Sequence, residues 1–166
     1  MENKRTAILT TVLFGLLAQR AALASPHCID YTGELGNHAD PYTQCEGTVF
    51  PFDLDCVQVE DPNSANVSVQ NNSGAGVSEG VWAPASGIIL TLADNYSPPT
   101  EVEFDLYVFD ECVDVVAYDS GSNQIFSDKF CASSVHPVQI QDEGGIATIE
   151  ISGGENETWV DDICLP

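Results

Sequence analysis

Paired carboxylates near the end of the chain are the residues with the clearest metal-binding chemistry. Asp161 and Asp162 are adjacent, and the apolar residues that flank them, Val160 and Ile163, stand three positions apart. In a strand this spacing indicates a β-bulge that turns one of the two acids aside. Ca²⁺ takes six to eight oxygen ligands at about 2.3–2.6 Å, and carboxylates on neighbouring strands can supply them. We therefore name Glu60, Asp161 and Asp162 as candidate calcium ligands, against the alternative of solvated surface acids.

A second set of acids has the spacing for acid–base chemistry. Glu101, Glu103 and Asp105 stand at i, i+2 and i+4 in an alternating segment, so they share one face of a strand. A retaining glycosidase needs two carboxyl groups about 5–5.5 Å apart across the scissile bond. The simpler interpretation is a strand with its acidic side in water, and no Ser-His-Asp order or G-x-S-x-G motif can be assembled. We predict that the protein is not an enzyme.

Three aromatic residues are candidates for binding a sugar ring by stacking. Trp82 and Tyr96 stand among turn-forming residues, and Tyr107 alternates in step with the acids of its strand. Each of them could equally be an ordinary packing residue, because aromatic side chains are mostly buried in folded proteins. Trp82, Tyr96 and Tyr107 are the predicted ligand-binding residues.

Residues 1–24 have the features of a secretory signal peptide. A short basic start precedes an apolar stretch at residues 7–17, and the small residues Ala22 and Ala24 lie before the expected cleavage site. The stretch is shorter than the roughly 18 apolar residues that a membrane span requires. The sequence therefore predicts a secreted, extracellular protein without membrane insertion.

Cleavage after residue 24 makes the protein more acidic. It removes Lys4, Arg5, Arg20 and Glu2, which leaves Lys129 against 25 carboxylates and a formal charge of −24, compared with −22 for the whole chain. Such a surface repels nucleic acid and anionic membranes and attracts divalent cations. Either a saline environment or specific Ca²⁺ binding could account for this acidity, and the two are compatible.

Two of the six cysteines are predicted to pair across a hairpin. A two-residue turn with Gly first, at Gly121-Ser122, is typical of a type II′ hairpin. Counting outward from it places Cys112 opposite Cys131, and Asp114 opposite Lys129. An even number of cysteines in an exported chain indicates disulfides, and no pair of these cysteines has zinc-site spacing.

The other four cysteines are paired by proximity and then by elimination. Cys28 is assigned to Cys45, and Cys56 is left for Cys164. An antiparallel pairing around Cys56–Cys164 sets Glu60 beside the acids of the last strand, which is why Glu60 is a predicted calcium ligand.

Short alternating segments, best seen at residues 101–109, predict about nine strands and no helix after the signal peptide. Such a pattern is typical of an all-β fold, in which two antiparallel sheets pack as a sandwich. With the three disulfides added, this is the predicted fold class. We predict a disulfide-tied N-terminal hook at residues 25–47 and the sandwich at residues 48–166.

Several segments in residues 102–165 resemble the second half of galactose-binding-like jelly rolls, the sandwich used by many carbohydrate-binding modules. The matching pieces are E-V-E-F-D-L, V-V-A-Y-D-S-G-S-N, G-I-A-T-I-E-I-S and W-V-D-D-I-C-L. The resemblance implies a jelly-roll fold, a non-catalytic recognition function directed at a glycan or cell-surface polysaccharide, and a structural calcium ion. The alternative is a structural or adhesive subunit of a surface or matrix assembly, bridged by divalent cations.

Overall fold

The computed structural model describes residues 27–29, 31–48, 53–72, 77–94, 97–131, 134–154 and 158–165. No helix in this part of the chain is long and apolar enough to span a membrane. The predicted signal peptide lies outside the described residues. The strands are β1 (His27–Ile29), β2 (Gly36–Ala39), β3 (Tyr42–Thr48), β4 (Asp53–Glu60), β5 (Asn66–Asn72), β6 (Val77–Ala83), β7 (Ile88–Asp94), β8 (Glu101–Val108), β9 (Cys112–Tyr118), β10 (Gln124–Cys131), β11 (Ser134–Gln141), β12 (Thr148–Gly153) and β13 (Thr158–Leu165).

Two antiparallel sheets contain these strands, which confirms the predicted all-β sandwich. Sheet A has the order β11-β8-β13-β6-β5-β2, and β1 pairs with β13 beside this path. Sheet B has the order β10-β9-β12-β7-β4-β3. From β7 to β13 the chain crosses repeatedly from one sheet to the other, which is the connectivity of a jelly roll.

The core lies between the sheets and follows the alternation seen in the sequence. In β8 the residues Val102, Phe104, Leu106 and Val108 are buried, while the residues between them lie on the other side of the sheet. Apolar side chains from both sheets complete the core, among them Val57, Leu90, Val115, Ile149, Ile151, Val160 and Ile163. The period of two therefore decides which side chains face outward from each sheet.

The predicted β9–β10 pairing and its disulfide are confirmed, but the turn is not the predicted type II′ turn at Gly121-Ser122. The Ser122 N–H donates to the Asp119 carbonyl, and Ser122, not Gly121, has a positive φ. Cys112 pairs with Cys131 in the ladder and is bonded to it. Lys129 lies opposite Asp114, and its Nζ is 3.1 Å from the Asp114 carboxylate. The ladder shifts register only between residues 124 and 126, close to the turn.

Both other predicted disulfides are wrong. The bonds are Cys28–Cys164 and Cys45–Cys56. Cys45 lies opposite Cys56 because β3 and β4 form a hairpin, and Cys28 lies opposite Cys164 because β1 pairs with the last strand. Cys56 is nearer to Cys45 in sequence than Cys28 is, so proximity itself favoured the observed bond. The error came from treating residues 25–47 as a separate segment closed by its own disulfide.

The segment predicted as a hook is integrated into the sandwich. Strands β1 and β2 belong to sheet A and β3 belongs to sheet B. Ile29 and Tyr31 are fully buried in the core. Since Cys28 is bonded to Cys164, no disulfide closes residues 25–47 on themselves.

Candidate functional site

Sheet A has an outer face, the side turned away from the core, and this face gathers most of the residues singled out from the sequence. In β8 the outer residues are Glu101, Glu103, Asp105 and Tyr107, because they alternate with core residues. In β13, Trp159 and Asp161 flank the core residue Val160 in the same way. These two strands are neighbours in the sheet, so their outer side chains lie side by side.

Three aromatic side chains form one rung across this face. Trp159 lies opposite Tyr107 of β8 on one side and opposite Trp82 of β6 on the other. Directly opposed residues in antiparallel strands have Cβ atoms about 4.5–5.5 Å apart, so the three rings are neighbours. Phe109 adds an edge contact to Trp159, with ring centroids 6.0 Å apart. We call Trp82, Trp159 and Tyr107 the aromatic row.

The members of the aromatic row differ in exposure. Tyr107 and Trp159 are 9% and 5% exposed, and they form a small apolar cluster separate from the core. Trp82 and Phe109 pack against this cluster and are only partly buried. Trp159 thus supports the row from within, and Trp82 offers ring surface at its border.

Sequence reasoning found two members of this row and missed the central one. Trp82 was expected among turn residues but lies in strand β6, and Tyr107 lies on the acidic side of β8 as predicted. Trp159 was missed, although the inward positions of Val160 and Ile163 already indicated that it faces outward. Tyr96 lies outside the described residues.

Trp159 carries an unsatisfied polar atom. Its indole Nε1–H is buried and has no hydrogen-bond acceptor in the described structure, and the neighbouring Thr158 Oγ1 is also buried without a partner. A buried polar group without a partner costs about 1–3 kcal/mol, so such groups are rare in folded proteins. Two of them at adjacent positions mark this end of β13 as energetically unusual.

Three carboxylates lie beside the aromatic row. Asp105 and Asp161 are directly opposed on β8 and β13, one outward position along from Tyr107 and Trp159. Asp162 follows in a bulge, which the adjacent acids and flanking apolar residues predicted, and its φ of 50° is the left-handed conformation that Asp tolerates better than most residues. Asp161 Oδ1 accepts the backbone N–H of Asp162. We call Asp105, Asp161 and Asp162 the carboxylate cluster.

The carboxylate cluster is electrostatically strained. Burial raises the pKa of Asp105, and the charge of Asp162 raises it further. Burial also raises the pKa of Tyr107, with smaller contributions from the three carboxylates of the cluster. A groove of about 370 Å³ runs along this part of the face, with Asp105, Asp162 and Gln139 in its lining.

Farther along the same face, amide and carboxylate groups bind each other. Gln139 Nε2 donates to Glu101 and Glu103 at 2.7 and 2.8 Å, and Gln141 Nε2 donates to Glu101 at 2.5 Å. Glu101, Glu103 and Asp105 share one face of β8, as their alternation predicted. Glu101 and Glu103 accept amide N–H groups from β11. A second groove, of about 490 Å³, includes Glu101 and Gln141 in its lining.

The predicted calcium ligands are not brought together. Glu60 lies on β4 in sheet B, whereas Asp161 and Asp162 lie on β13 in sheet A, so the register that placed them side by side is wrong. That register depended on a Cys56–Cys164 bond, and the chain forms two other bonds instead. Among the residues that the structure describes, no group of three or more His, Cys, Asp or Glu side chains could hold a metal ion. Calcium binding by Asp161 and Asp162 stays a prediction. Glu60 lies in the other sheet, so we no longer expect it to share an ion with them.

Asp105→Asn is expected to stabilise the protein at neutral pH and to have little effect in acid. The pKa of Asp105 lies above its ordinary value of 3.8, so folding disfavours its ionised form. This cost is absent below that value, where the group is protonated whether folded or not, and it develops as the pH rises through the raised pKa. Thermal unfolding of both proteins from about pH 3 to pH 7 measures the difference.

Asp128→Asn is the matched control, since it also removes one negative charge, at an exposed position on sheet B opposite the uncharged Val115. A melting-temperature gain that is the same at both ends of the pH range, or the same for the control, would contradict the assignment to Asp105.

Some solved structures share a distant likeness of overall shape with this chain. No protein-family model and no curated protein matches the sequence. Among solved structures, a mutant of a family 29 carbohydrate binding module aligns over 86% of this chain and 92% of its own, with 9% identity and a TM-score of 0.43. Another mutant, complexed with mannohexaose, aligns over 78% and 80% with 8% identity and a TM-score of 0.36, and a third has a TM-score of 0.34. At these values the likeness extends to neither a site nor a ligand.

Proposed function

We propose that this protein is a secreted, non-catalytic module that binds glycans on the outer face of sheet A. The observation that carries the proposal is the aromatic row, in which three adjacent strands place Tyr107, Trp159 and Trp82 in one rung. A pyranose ring has an apolar face that can stack on an aromatic ring, and ring stacking combines apolar burial with a defined geometry. Trp82, the partly exposed member of the row, supplies the surface for stacking, and the buried Trp159 and Tyr107 pack beside it and support it.

Hydrogen-bonding groups continue the face along β8 and β11. Asp105, Glu103 and Glu101 follow Tyr107 at alternate positions, and Gln139 and Gln141 lie opposite the two glutamates. From Tyr107 to Glu101 this strip measures about 20 Å, at about 3.4 Å per residue. Sugar hydroxyls need donors and acceptors at fixed positions, and ligand sites typically combine apolar surface with a few such groups.

The non-catalytic and extracellular parts of the proposal have their own support. Glu101 and Glu103 accept amide N–H groups from Gln139, an arrangement suited to holding the carboxylates in place as acceptors. Three disulfides are typical of proteins that fold outside the reducing cytosol. Both observations support the proposal of a non-catalytic protein that acts outside the cell.

The test is a binding measurement on the protein without residues 1–24. A panel of neutral and charged oligosaccharides is titrated by calorimetry at fixed Ca²⁺, and each sugar is analysed for cleavage products afterwards. We expect saturable binding of a subset of glycans by a monomer, with every oligosaccharide recovered intact. Size-exclusion chromatography with and without Ca²⁺ reports the oligomeric state.

Two results would contradict the proposal. Calcium-dependent assembly without preference among the sugars would favour the structural or adhesive subunit, which the acidic surface also suits. Shortened oligosaccharides would show that the carboxylates of β8 or β13 are catalytic.

A further inference from the structure

Four asparagines of this chain stand in the sequence Asn-x-Ser/Thr, in which an exported protein can receive an N-linked oligosaccharide. All four lie after the predicted signal peptide, and none has proline at the middle position. An attached oligosaccharide is bulky and hydrophilic, so its asparagine must lie on the surface of the fold. The four are Asn66, Asn71, Asn95 and Asn156, followed two positions later by Ser68, Ser73, Ser97 and Thr158.

Asn66 and Ser68 form the one such pair of which both members lie in the described part of the chain. Asn66 is the first residue of β5 and is exposed. Val67 and Val69 are buried in the core, so Asn66 and Ser68 lie on the outer face of sheet A. Thr158, by contrast, is fully buried. The structure therefore favours Asn66 as a point of attachment.

The side chain of Asn66 is available for substitution. Its backbone N–H donates to Ser64 Oγ at 3.1 Å, whereas its side-chain amide makes no hydrogen bond to another described residue. The residues before it form a turn, in which the backbone N–H groups of Asn63 and Ser64 donate to Asp61. Asn66 thus stands where a turn passes into a strand. A group added at its Nδ2 extends into solvent and displaces no contact among the described residues.

Asn66 also lies close to the aromatic row. Val69 of β5 is opposite Val81 of β6. One position farther along these two antiparallel strands, Ser68 and Trp82 come next to each other on the outer face. Asn66 is the next outward residue after Ser68, about 6.8 Å along the strand. An oligosaccharide at Asn66 therefore lies at the border of the outer face of sheet A, near the partly exposed Trp82.

We infer that Asn66 is an acceptor site for an N-linked oligosaccharide. The donor belongs to the class of oligosaccharides linked to a polyprenyl pyrophosphate, and a transferase of the export route catalyses the step. The anomeric carbon of the first sugar forms a bond to Asn66 Nδ2, and its bond to the pyrophosphate oxygen breaks. Polyprenyl pyrophosphate leaves, and the amide nitrogen gives up one proton. The inference goes beyond the proposed function, because attachment at Asn66 does not require that the outer face binds a glycan.

The experiment uses the whole chain, with its own residues 1–24, secreted by cultured eukaryotic cells. Its peptides are mapped by mass spectrometry before and after treatment with peptide-N-glycosidase, which removes an N-linked oligosaccharide and leaves Asp in place of the modified Asn. We expect the peptide that contains Asn66 to carry sugar mass before treatment and to have Asp at position 66 afterwards. Ser68→Ala is expected to abolish this modification although Asn66 is still present, because it removes the hydroxyl residue of the motif.

Asn63→Gln is the matched control, since Asn63 is an exposed asparagine of the same turn with Ala65 two positions later. It is expected to keep the oligosaccharide at Asn66. An unmodified Asn66 in the secreted wild-type protein would overturn the inference, whether or not other asparagines are modified. Modification of Asn66 that persists in Ser68→Ala would overturn it as well. The map of the wild-type protein decides the question even where a variant is not secreted.

Discussion

Replacing Cys28 and Cys164 together with serine is expected to lower the free energy of unfolding by about 5 kcal/mol. The bond joins residues 136 positions apart, and the loss of chain entropy in the unfolded state on cross-linking grows with the length of the closed loop. For the Cys45–Cys56 bond, which closes a loop of 11 residues, the same relation gives about 2.8 kcal/mol. The order of the two losses is the prediction.

Local structure strengthens this expectation. Strand β1 has three residues and, within the described residues, pairs only with β13, to which the disulfide ties it covalently. Ile29 and Tyr31 follow it into the core and are fully buried. Loss of the bond therefore weakens the hold on two buried side chains as well.

Urea unfolding of the two double-serine variants measures both values. Domains are stable by about 5–15 kcal/mol, so the Cys28/Cys164 variant could be partly unfolded in buffer. In that case its far-ultraviolet circular dichroism shows the loss directly, and the Cys45/Cys56 variant supplies the folded reference. Equal midpoints for the two variants would contradict the ranking.

Local patterns in the sequence predicted the parts of the fold that depend on neighbouring residues. The alternation in residues 101–108 placed four apolar side chains in the core and the acids and Tyr107 on the outer face. The turn near Gly121 gave the register of a hairpin, and with it one disulfide and the Lys129–Asp114 ion pair. In each case the partner is fixed by a short stretch of chain, so counting residues suffices.

Pairings between distant strands were beyond that kind of counting. The neighbours of β13 are β8, β6 and β1, which come from three separate parts of the chain. Sheet membership is decided by how all the apolar faces pack together, and no local pattern encodes it. The register that set Glu60 beside the β13 acids was wrong for this reason, since Glu60 lies in the other sheet.

In the candidate site, too, local features could be predicted from the sequence and the pairing of distant strands could not. The sequence identified Trp82, Tyr107 and the β13 acids as unusual residues, each from its own surroundings. It could not show that Trp159 lies between the two aromatic residues, because this depends on the registers of β13 with β6 and with β8. The aromatic row is a property of three strands, and no single strand contains it.

Trp82 and Trp159 differ in exposure, so we expect their replacement to affect different properties, binding in one case and stability in the other. Trp82→Ala is expected to weaken glycan binding by about 30-fold or more, the effect of losing an aromatic hot spot, with a small loss of stability because Trp82 is only partly buried. Trp159→Ala is expected to lower the free energy of unfolding by about 3–5 kcal/mol, since its ring is 5% exposed and packs between neighbours.

Calorimetric titration with the tightest neutral hexasaccharide, together with urea unfolding, separates these two effects. Tyr118→Ala is the control, because Tyr118 is a partly exposed aromatic residue on the outer side of sheet B, where its hydroxyl lies 3.3 Å from Glu150. It is expected to keep wild-type affinity. If Trp82→Ala binds as well as wild type while Tyr118→Ala does not, the binding face is on sheet B. If Trp159→Ala is as stable as wild type, Trp159 is not the packed support of the row.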